Sequence, residues 1–273
     1  MNSVHRVARI IALAFAVLLI VLIVQGGLYL AKSFKEGFDV NIRLNEKSPE
    51  ELLNDYKDSK VLYIALGANT ITLNEGEDFN VTTNNEYVEF KNDANSFVVV
   101  EKNHKINSKK ITKNVDITVP KESKFDKVVI KNGAGTIKSG LINTKKIDFD
   151  FGAGSVVIDN LKVEESANIN TGTGEVSINN GSINNMKLSI GVGEVNIKSF
   201  LSGQSDISCG VGELNLRLVA PMNTYSFDLE KGVGSIKINN KKYDEGIVGK
   251  GTNTIKIEGG VGSVNIMTEE LEK

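Results

Sequence analysis

The stretch GVGEVNIKSFLSGQSDISCGVGELNL, residues 191–216, decides the fold because it contains the same short motif twice, nineteen residues apart. A G-x-G motif of this kind recurs through the second half of the chain. Its first glycines are Gly133, Gly152, Gly172, Gly191, Gly210, Gly232 and Gly260. The first five are spaced 19 or 20 residues apart, and the last two spacings lengthen to 22 and 28. A near-constant period of this length is typical of repeat architectures and takes precedence over any single local motif.

The residues after each motif alternate between aliphatic and polar. After Gly193, for example, Val195 and Ile197 flank the polar Asn196. A period of two predicts a strand with one buried face, and a second short strand precedes each motif. Two strands and two turns per 19–20 residues predict the coil of a β-solenoid in an all-β protein. A meander of antiparallel hairpins with the same period is the alternative.

The repeated glycines are interpreted as structural corners, where a side chain would clash. They are Gly133, Gly135, Gly152, Gly154, Gly172, Gly174, Gly191, Gly193, Gly210, Gly212, Gly232, Gly234, Gly260 and Gly262. A dinucleotide fingerprint would need a third glycine and a following helix, and both are missing here. The segment 246–253 (GIVGKGTN) has Gly251 where a phosphate loop needs Ser or Thr.

The organisation of the chain follows from composition and pattern. Alternating β-type runs begin near Val61, and a weaker copy of the motif starts at Gly67. Ser48, Pro49 and Glu51 form a helix-start signature within the preceding linker. The predicted segments are a tail (1–9), a transmembrane anchor (10–31), a linker with a short helix (32–60), an N-terminal β cap (61–131), the solenoid (132–267) and a charged tail (268–273).

The apolar segment Ile10–Ala31 has 22 residues without a charge. As a helix it would be roughly 33 Å long, enough to cross the lipid bilayer. A cleaved signal peptide is the alternative, but Tyr29 does not suit an A-x-A-like cleavage site. We expect an uncleaved single-pass anchor in the cell membrane, with the large C-terminal domain outside the cytoplasm.

Charge and residue counts limit the binding and catalytic functions that the sequence can support. A formal net charge of −2 does not favour nucleic-acid binding. The lone Cys209 excludes an internal disulfide and is expected to pack in the core, and His104 is the only histidine after the apolar segment. We predict neither a cofactor nor a catalytic cluster. Stacked coils would align Glu175, Glu194 and Glu213 in one column, which a cation such as Ca²⁺ could bridge, although a solvated stripe is the simpler interpretation.

The longest repeat unit contains an insertion, residues 239–253 (NNKKYDEGIVGKGTN), which is either a surface loop or a partner-binding element. The C-terminal TEELEK (268–273) is expected to cover the open solenoid end with charge.

The run VDITVPKESKFDKVVIKNGAGTIKSG (115–140), together with the G-x-G units that follow, resembles a bacterial putative-adhesin domain family of unknown function. The resemblance covers roughly residues 60–267 and implies a membrane-tethered, extracytoplasmic solenoid without established catalytic residues. We therefore expect a non-enzymatic, adhesin-like binding or envelope-stress sensing module, whose partner would be an envelope protein, a peptide or a cell-surface ligand. The alternatives are a self-assembling scaffold and an enzyme acting on cell-wall polysaccharide. The oligomeric state stays open.

Overall fold

The computed structural model describes residues 47–102 and 112–269 of the 273-residue chain. Helix α1 is Pro49–Asp55, and a 3-10 turn spans Met222–Thr224. The strands are β1 (Val61–Gly76), β2 (Asn80–Thr83), β3 (Val88–Asn92), β4 (Phe97–Glu101), β5 (Asn114–Pro120), β6 (Phe125–Ile178), β7 (Gly181–Asn184), β8 (Met186–Ser202), β9 (Gln204–Pro221), β10 (Tyr225–Glu230), β11 (Val233–Ile238), β12 (Lys241–Tyr243), β13 (Gly246–Gly249), β14 (Asn253–Glu258) and β15 (Val261–Glu269).

Successive repeat units lie side by side as parallel strands. Strand β6 pairs with β8, and β8 pairs with β9, so that equivalent residues of neighbouring units stand opposite each other. A meander of hairpins would make these neighbours antiparallel. The solenoid prediction is therefore confirmed, and the meander alternative is wrong.

Each middle coil has a third strand segment in addition to the two that were expected. Strand β7 pairs in parallel with residues 161–163 of β6 on one side and with residues 200–202 of β8 on the other. The prediction of two-strand coils is wrong here because a short third side follows the two alternating runs. Its inward residues, such as Leu161, Ile183 and Leu201, are buried with the rest of the core.

The second glycine of each motif is required by the close stacking of corners. Gly212 has φ +137, and a Cβ added there would overlap the carbonyl oxygen of Gly193 in the preceding coil. An L-residue is unfavourable in this backbone region even where space is free. The G-x-G motif therefore serves a structural purpose at this corner.

The coils do not stack in chain order at the C-terminal end. Strand β15, with the motif at Gly260, pairs with β9, and β11, with the motif at Gly232, pairs with β15. The order of corners along the axis is Gly67, Gly133, Gly152, Gly172, Gly191, Gly210, Gly260 and Gly232. The last two units therefore stack in the reverse of chain order. The chain passes from β9 to β10 and β11 at the end of the solenoid, and the insertion then returns it to β14 and β15 beside β9.

The core consists of the inward aliphatic and aromatic residues of the coils, among them Phe149, Tyr225 and Phe227, gathered in one cluster that extends from Leu62 to Ile266. A smaller cluster lies outside the first coil, where α1 covers the strands. There Leu52 and Leu53 pack on Val61, Tyr63 and Val98. The helix starts with the predicted capping box, in which Glu51 N–H donates to Ser48 Oγ (3.3 Å) and Ser48 N–H donates to the Glu51 carboxylate (2.7 Å). The helix closes the apolar outer face of the first coil.

The insertion, not the tail, covers the C-terminal end. Residues 239–253 form β12 and β13, which pair antiparallel with β11 and β10. Thr268 and Glu269 instead extend β15 beside β9, so the expected covering role of the tail is wrong for its described part. Residues 270–273 lie outside the described residues.

The helix described here, α1, is too short to cross a membrane, and no other segment within residues 47–102 and 112–269 qualifies. The predicted anchor at 10–31 and His104 fall outside the described residues.

Candidate functional site

Three columns of polar side chains run across the outer face of the C-terminal coils. They arise because the strands after the corners alternate, and parallel pairing in register stacks equivalent residues about 4.8 Å apart. The first column contains carboxylates, the second amides and the third cations. The members are Glu175, Glu194 and Glu213; Asn196, Asn215 and Asn265; and Lys198 and Arg217. We call this surface the polar face.

The amide column forms a hydrogen-bonded ladder. Asn215 Nδ2 donates to Asn196 Oδ1 at 2.9 Å, and Asn265 Nδ2 donates to Asn215 Oδ1 at 3.0 Å. Each bond fixes a side chain that would otherwise sample several rotamers. The centre of the polar face is therefore ordered before any ligand arrives.

The predicted carboxylate column exists, and two of its members are held by the amides. Asn196 Nδ2 donates to Glu194 Oε1 at 2.9 Å, and Asn265 Nδ2 donates to Glu213 Oε1 at 2.8 Å. Within the described part of the chain, no three Asp, Glu, His or Cys side chains gather closely enough to hold a metal ion. Cation binding by Glu175, Glu194 and Glu213 stays a prediction that this arrangement does not strengthen.

The cation column is the part of the face that sequence reasoning missed. Lys198 and Arg217 are directly opposed on β8 and β9, and both are exposed. Neither makes an ion pair with any residue in the described ranges. The signal was available, since each is the fifth residue after the second glycine of its motif.

A groove of about 400 Å³ lies over these columns. Its polar lining comes from the amide ladder, Asn179, Lys198 and Arg217, and Met267 contributes an apolar edge. Asn179 Nδ2 donates to Asp159 Oδ1 at 2.9 Å, which fixes this amide at the edge of the groove. The groove is thus lined by amide groups, by two cations that form no ion pair within the described residues, and by the aliphatic side chains of Ile178, Ile197 and Leu216.

Cys209 and the corner glycines take no part in this groove. Burial raises the pKa of the Cys209 thiol to about 11, and the side chain packs against the core. This is the packing role that the sequence predicts, since a thiol at this pKa is protonated and unreactive at neutral pH.

A comparison with protein-family models matches residues 39–266 to the model described as Toastrack DUF4097. The match includes every described coil. The chain belongs to the Toastrack DUF4097 family. The resemblance stated from the G-x-G units is thereby confirmed, and the family is one of unknown function.

Solved structures to which this chain is similar come from several bacteria. One from Bacteroides fragilis, described as a putative adhesin, is 16% identical, has a TM-score of 0.49, and aligns over 76% of this chain and 91% of its own. A putative adhesin from Parabacteroides distasonis is 14% identical with a TM-score of 0.42, over 77% and 92%. A putative cell adhesion protein from Clostridium sporogenes is 18% identical with a TM-score of 0.31, over 77% and 91%. A search of curated proteins finds no significant match.

Proposed function

We propose that this Toastrack protein is a membrane-anchored, extracytoplasmic binding module that recognises a component of the cell envelope without chemical turnover. Such a module would serve adhesion or the sensing of envelope stress. The observation that carries the proposal is the polar face, where cations stand without counter-charges beside an ordered amide ladder. The apolar segment 10–31 supplies the proposed anchor.

A rigid face of this kind is suited to binding. Main-chain ladders between coils hold the strands, and side-chain hydrogen bonds hold the amides. Groups that are ordered in advance lose little conformational entropy when a ligand binds. The polar residues also lie on one side of the solenoid, so one extended ligand can contact several coils.

Location is tested by protease shaving of intact cells, followed by mass measurement of the fragment left in the membrane. We expect loss of the solenoid and retention of a short N-terminal stub that includes residues 10–31. Full protection in intact cells, with digestion only after lysis, would contradict an extracytoplasmic domain. Release of the whole protein without a stub would contradict the anchor.

Binding is tested by sedimentation of the full chain, held in detergent, with purified envelope fractions. We expect saturable co-sedimentation and no change in the envelope polymers after prolonged incubation. Release of sugar or peptide fragments that depends on single Asp or Glu side chains would contradict a binding module and favour an enzyme.

A further inference from the structure

We propose that the C-terminal half of the polar face binds the phosphate groups of a linear phosphodiester polymer, with Lys198 and Arg217 as the principal contacts. This inference rests on the proposed binding function and names the ligand class for it. It starts from an electrostatic imbalance. Two cations in register about 4.8 Å apart repel each other by about 1 kcal/mol in water, and no described acidic residue pairs with either.

More cations continue the same surface toward the C-terminal end. Lys237 lies in register with Asn265, and Lys242 of β12 stands opposite Lys237. Within residues 47–102 and 112–269, neither Lys237 nor Lys242 forms an ion pair. From β8 to β12 this basic strip crosses five strands, which is about 19 Å. Its four cations form two pairs, 198/217 and 237/242.

The donor set favours phosphate over carboxylate. The guanidinium fork of Arg217 alone can satisfy both oxygens of a carboxylate. A phosphodiester group is tetrahedral, so its two non-bridging oxygens can bind the fork while its two ester oxygens lie outside that plane, where the Lys198 ammonium can reach them from the neighbouring strand. Asn196 uses one amide N–H to bind Glu194 and Asn215 uses one to bind Asn196, so each has a second N–H to donate.

The spacing of the two pairs favours a polymer over a single anion. Lys237 is two coils and two residues away from Arg217, a separation of about 12 Å. One phosphate cannot bridge that distance, whereas a chain of phosphodiester groups can place successive charges over both pairs. Between them lies Met267, which is partly exposed and offers an apolar contact for the linking atoms.

The test uses the full chain in phosphatidylcholine nanodiscs, whose lipids carry no net charge. A fluorescent synthetic poly(glycerol phosphate) chain is titrated in, and poly-L-glutamate of equal charge is titrated in parallel. We expect saturable binding of the phosphate polymer that weakens as salt is raised, and weaker binding of poly-glutamate. Absence of binding, or equal binding of the two polymers, would overturn the assignment to phosphate.

Substitutions locate the site. Lys198→Gln combined with Arg217→Gln should weaken binding by about tenfold or more, and Arg217→Lys by less, because it keeps the charge but loses the fork. The matched control is Lys131→Gln with Lys162→Gln, which removes the same charge from exposed positions elsewhere on the solenoid. Equal losses in the two double variants, or no loss in the first, would show that the strip is not the site.

The envelope sedimentation assay separates the two levels of the proposal. If the wild-type chain and the Lys198→Gln, Arg217→Gln variant bind envelope equally well, the phosphate site is wrong and the binding function stands. If the wild-type chain does not bind envelope at all, the proposed function itself fails.

Discussion

The two ends of the solenoid are closed by the same construction. At the N-terminal end, β4 and β5 add in parallel to β1, and β3 and β2 pair antiparallel with them at the edge. At the C-terminal end, β10 and β11 add in parallel to β14 and β15, and β13 and β12 pair antiparallel at the edge. At both ends, antiparallel strands therefore cover the outer edge of the last parallel layer. Edge strands that run the opposite way do not favour end-to-end stacking of identical coils, so this construction does not support the scaffold alternative.

The two ends differ in what fills their corner. At the N-terminal end, the buried Glu101 carboxylate accepts hydrogen bonds from Gly67 N–H (2.8 Å), Asn69 Nδ2 (2.7 Å) and Lys113 Nζ (3.1 Å). Asn85 Nδ2 in turn donates to Asn69 Oδ1 at 3.0 Å. At the C-terminal end, the corner residue Val233 is 74% exposed, and Ile247 on the edge strand β13 is 76% exposed.

The direction of the Cα–Cβ bond explains this difference. A Cβ at Gly135 would collide with the Asn69 carbonyl, and one at Gly234 would collide with the Gly262 carbonyl, so the corner Cβ points toward the N-terminal coil in both cases. Among residues 47–102 and 112–269, no corner motif stacks on the first coil from that side, and its second motif position carries Asn69. The last coil still has a neighbour there and must keep Gly234. The first corner can therefore hold a polar network, whereas the last cannot.

The largest expected effect is at the C-terminal corner. Gly234→Ala should lower the free energy of unfolding by about 3 to 5 kcal/mol, because its Cβ meets backbone and neither coil can move away cheaply. Denaturant unfolding of the full chain in detergent measures this loss. The control is Gly246→Ala, where φ is +110 but nothing lies within 4 Å of the added Cβ, and the cost should be only about 1 to 2 kcal/mol. Equal costs would mean that conformational strain, not stacking, is what requires the corner glycine.

The next effect is at the N-terminal corner. Glu101→Ala leaves the Gly67 N–H and the Asn69 amide without their acceptor in a buried site, and we expect a loss of about 2 to 4 kcal/mol in the same assay. Glu89→Ala on the adjacent β3 is the matched control. It breaks an exposed ion pair with Lys102 and should cost less than about 1 kcal/mol. If the two variants lose equal stability, the buried network does not hold the N-terminal end.

Acidification should weaken the N-terminal end through the buried Glu101. Burial by itself would raise the pKa of Glu101, but hydrogen bonds from Asn85, Gly67, Asn69 and Lys113 outweigh it and hold the pKa below the ordinary 4.5. A depressed pKa stabilises the fold above the ordinary value, and that contribution is lost as the pH falls below about 4.5 through the folded-state pKa.

Thermal unfolding between pH 6 and pH 3 measures this dependence. The melting temperatures of wild type and Glu101→Gln should converge as the pH falls, because protonation removes the charge that the variant lacks. A constant difference between the two melting temperatures across this range would show that the Glu101 charge is not the source of the pH dependence.

The smallest effects are at the two edges. Phe90→Lys on β3 should cost about 0.5 to 1.5 kcal/mol, because the Phe90 ring meets the Phe79 ring edge-on with centroids 6.5 Å apart. Ile247→Lys on β13 should stay within about 0.5 kcal/mol, because that side chain is mostly in solvent. Parallel denaturant titrations check both, and a larger loss for Ile247→Lys would indicate that the C-terminal edge is covered in solution.

Much of the repeat structure could be predicted from local sequence patterns. The alternation around Asn196 and Asn215 predicts strands because side chains in a strand point to opposite faces. Glycine at Gly212 predicts a corner because an added Cβ has no room there. The capping box at Ser48 and Glu51 is likewise a local signal, and the structure contains it. Each of these requirements is met by residues close together in the chain.

The candidate site and the two closed ends of the solenoid are formed by residues that are far apart in the chain, so local sequence patterns do not predict them. Ile236 and Val264 have the same aliphatic character, so either could stack on Leu214, and pattern alone does not say that Val264 does. Glu101 looks like any exposed carboxylate until the first corner closes over it. Lys198 and Arg217 become an anion-binding pair only when their strands pair in register.

By itself, the sequence determined that this protein is built from stacked β coils with glycine corners, because strand alternation and the glycine requirement are local properties. Only the tertiary structure decided which coil lies at each end, how those ends are closed and which charges meet on the polar face. The physical reason is that every coil presents an apolar interior. Apolar interiors specify that coils stack, whereas the order of the coils and the contacts on their surface are decided by the lengths of the connections and by the side chains that differ between coils.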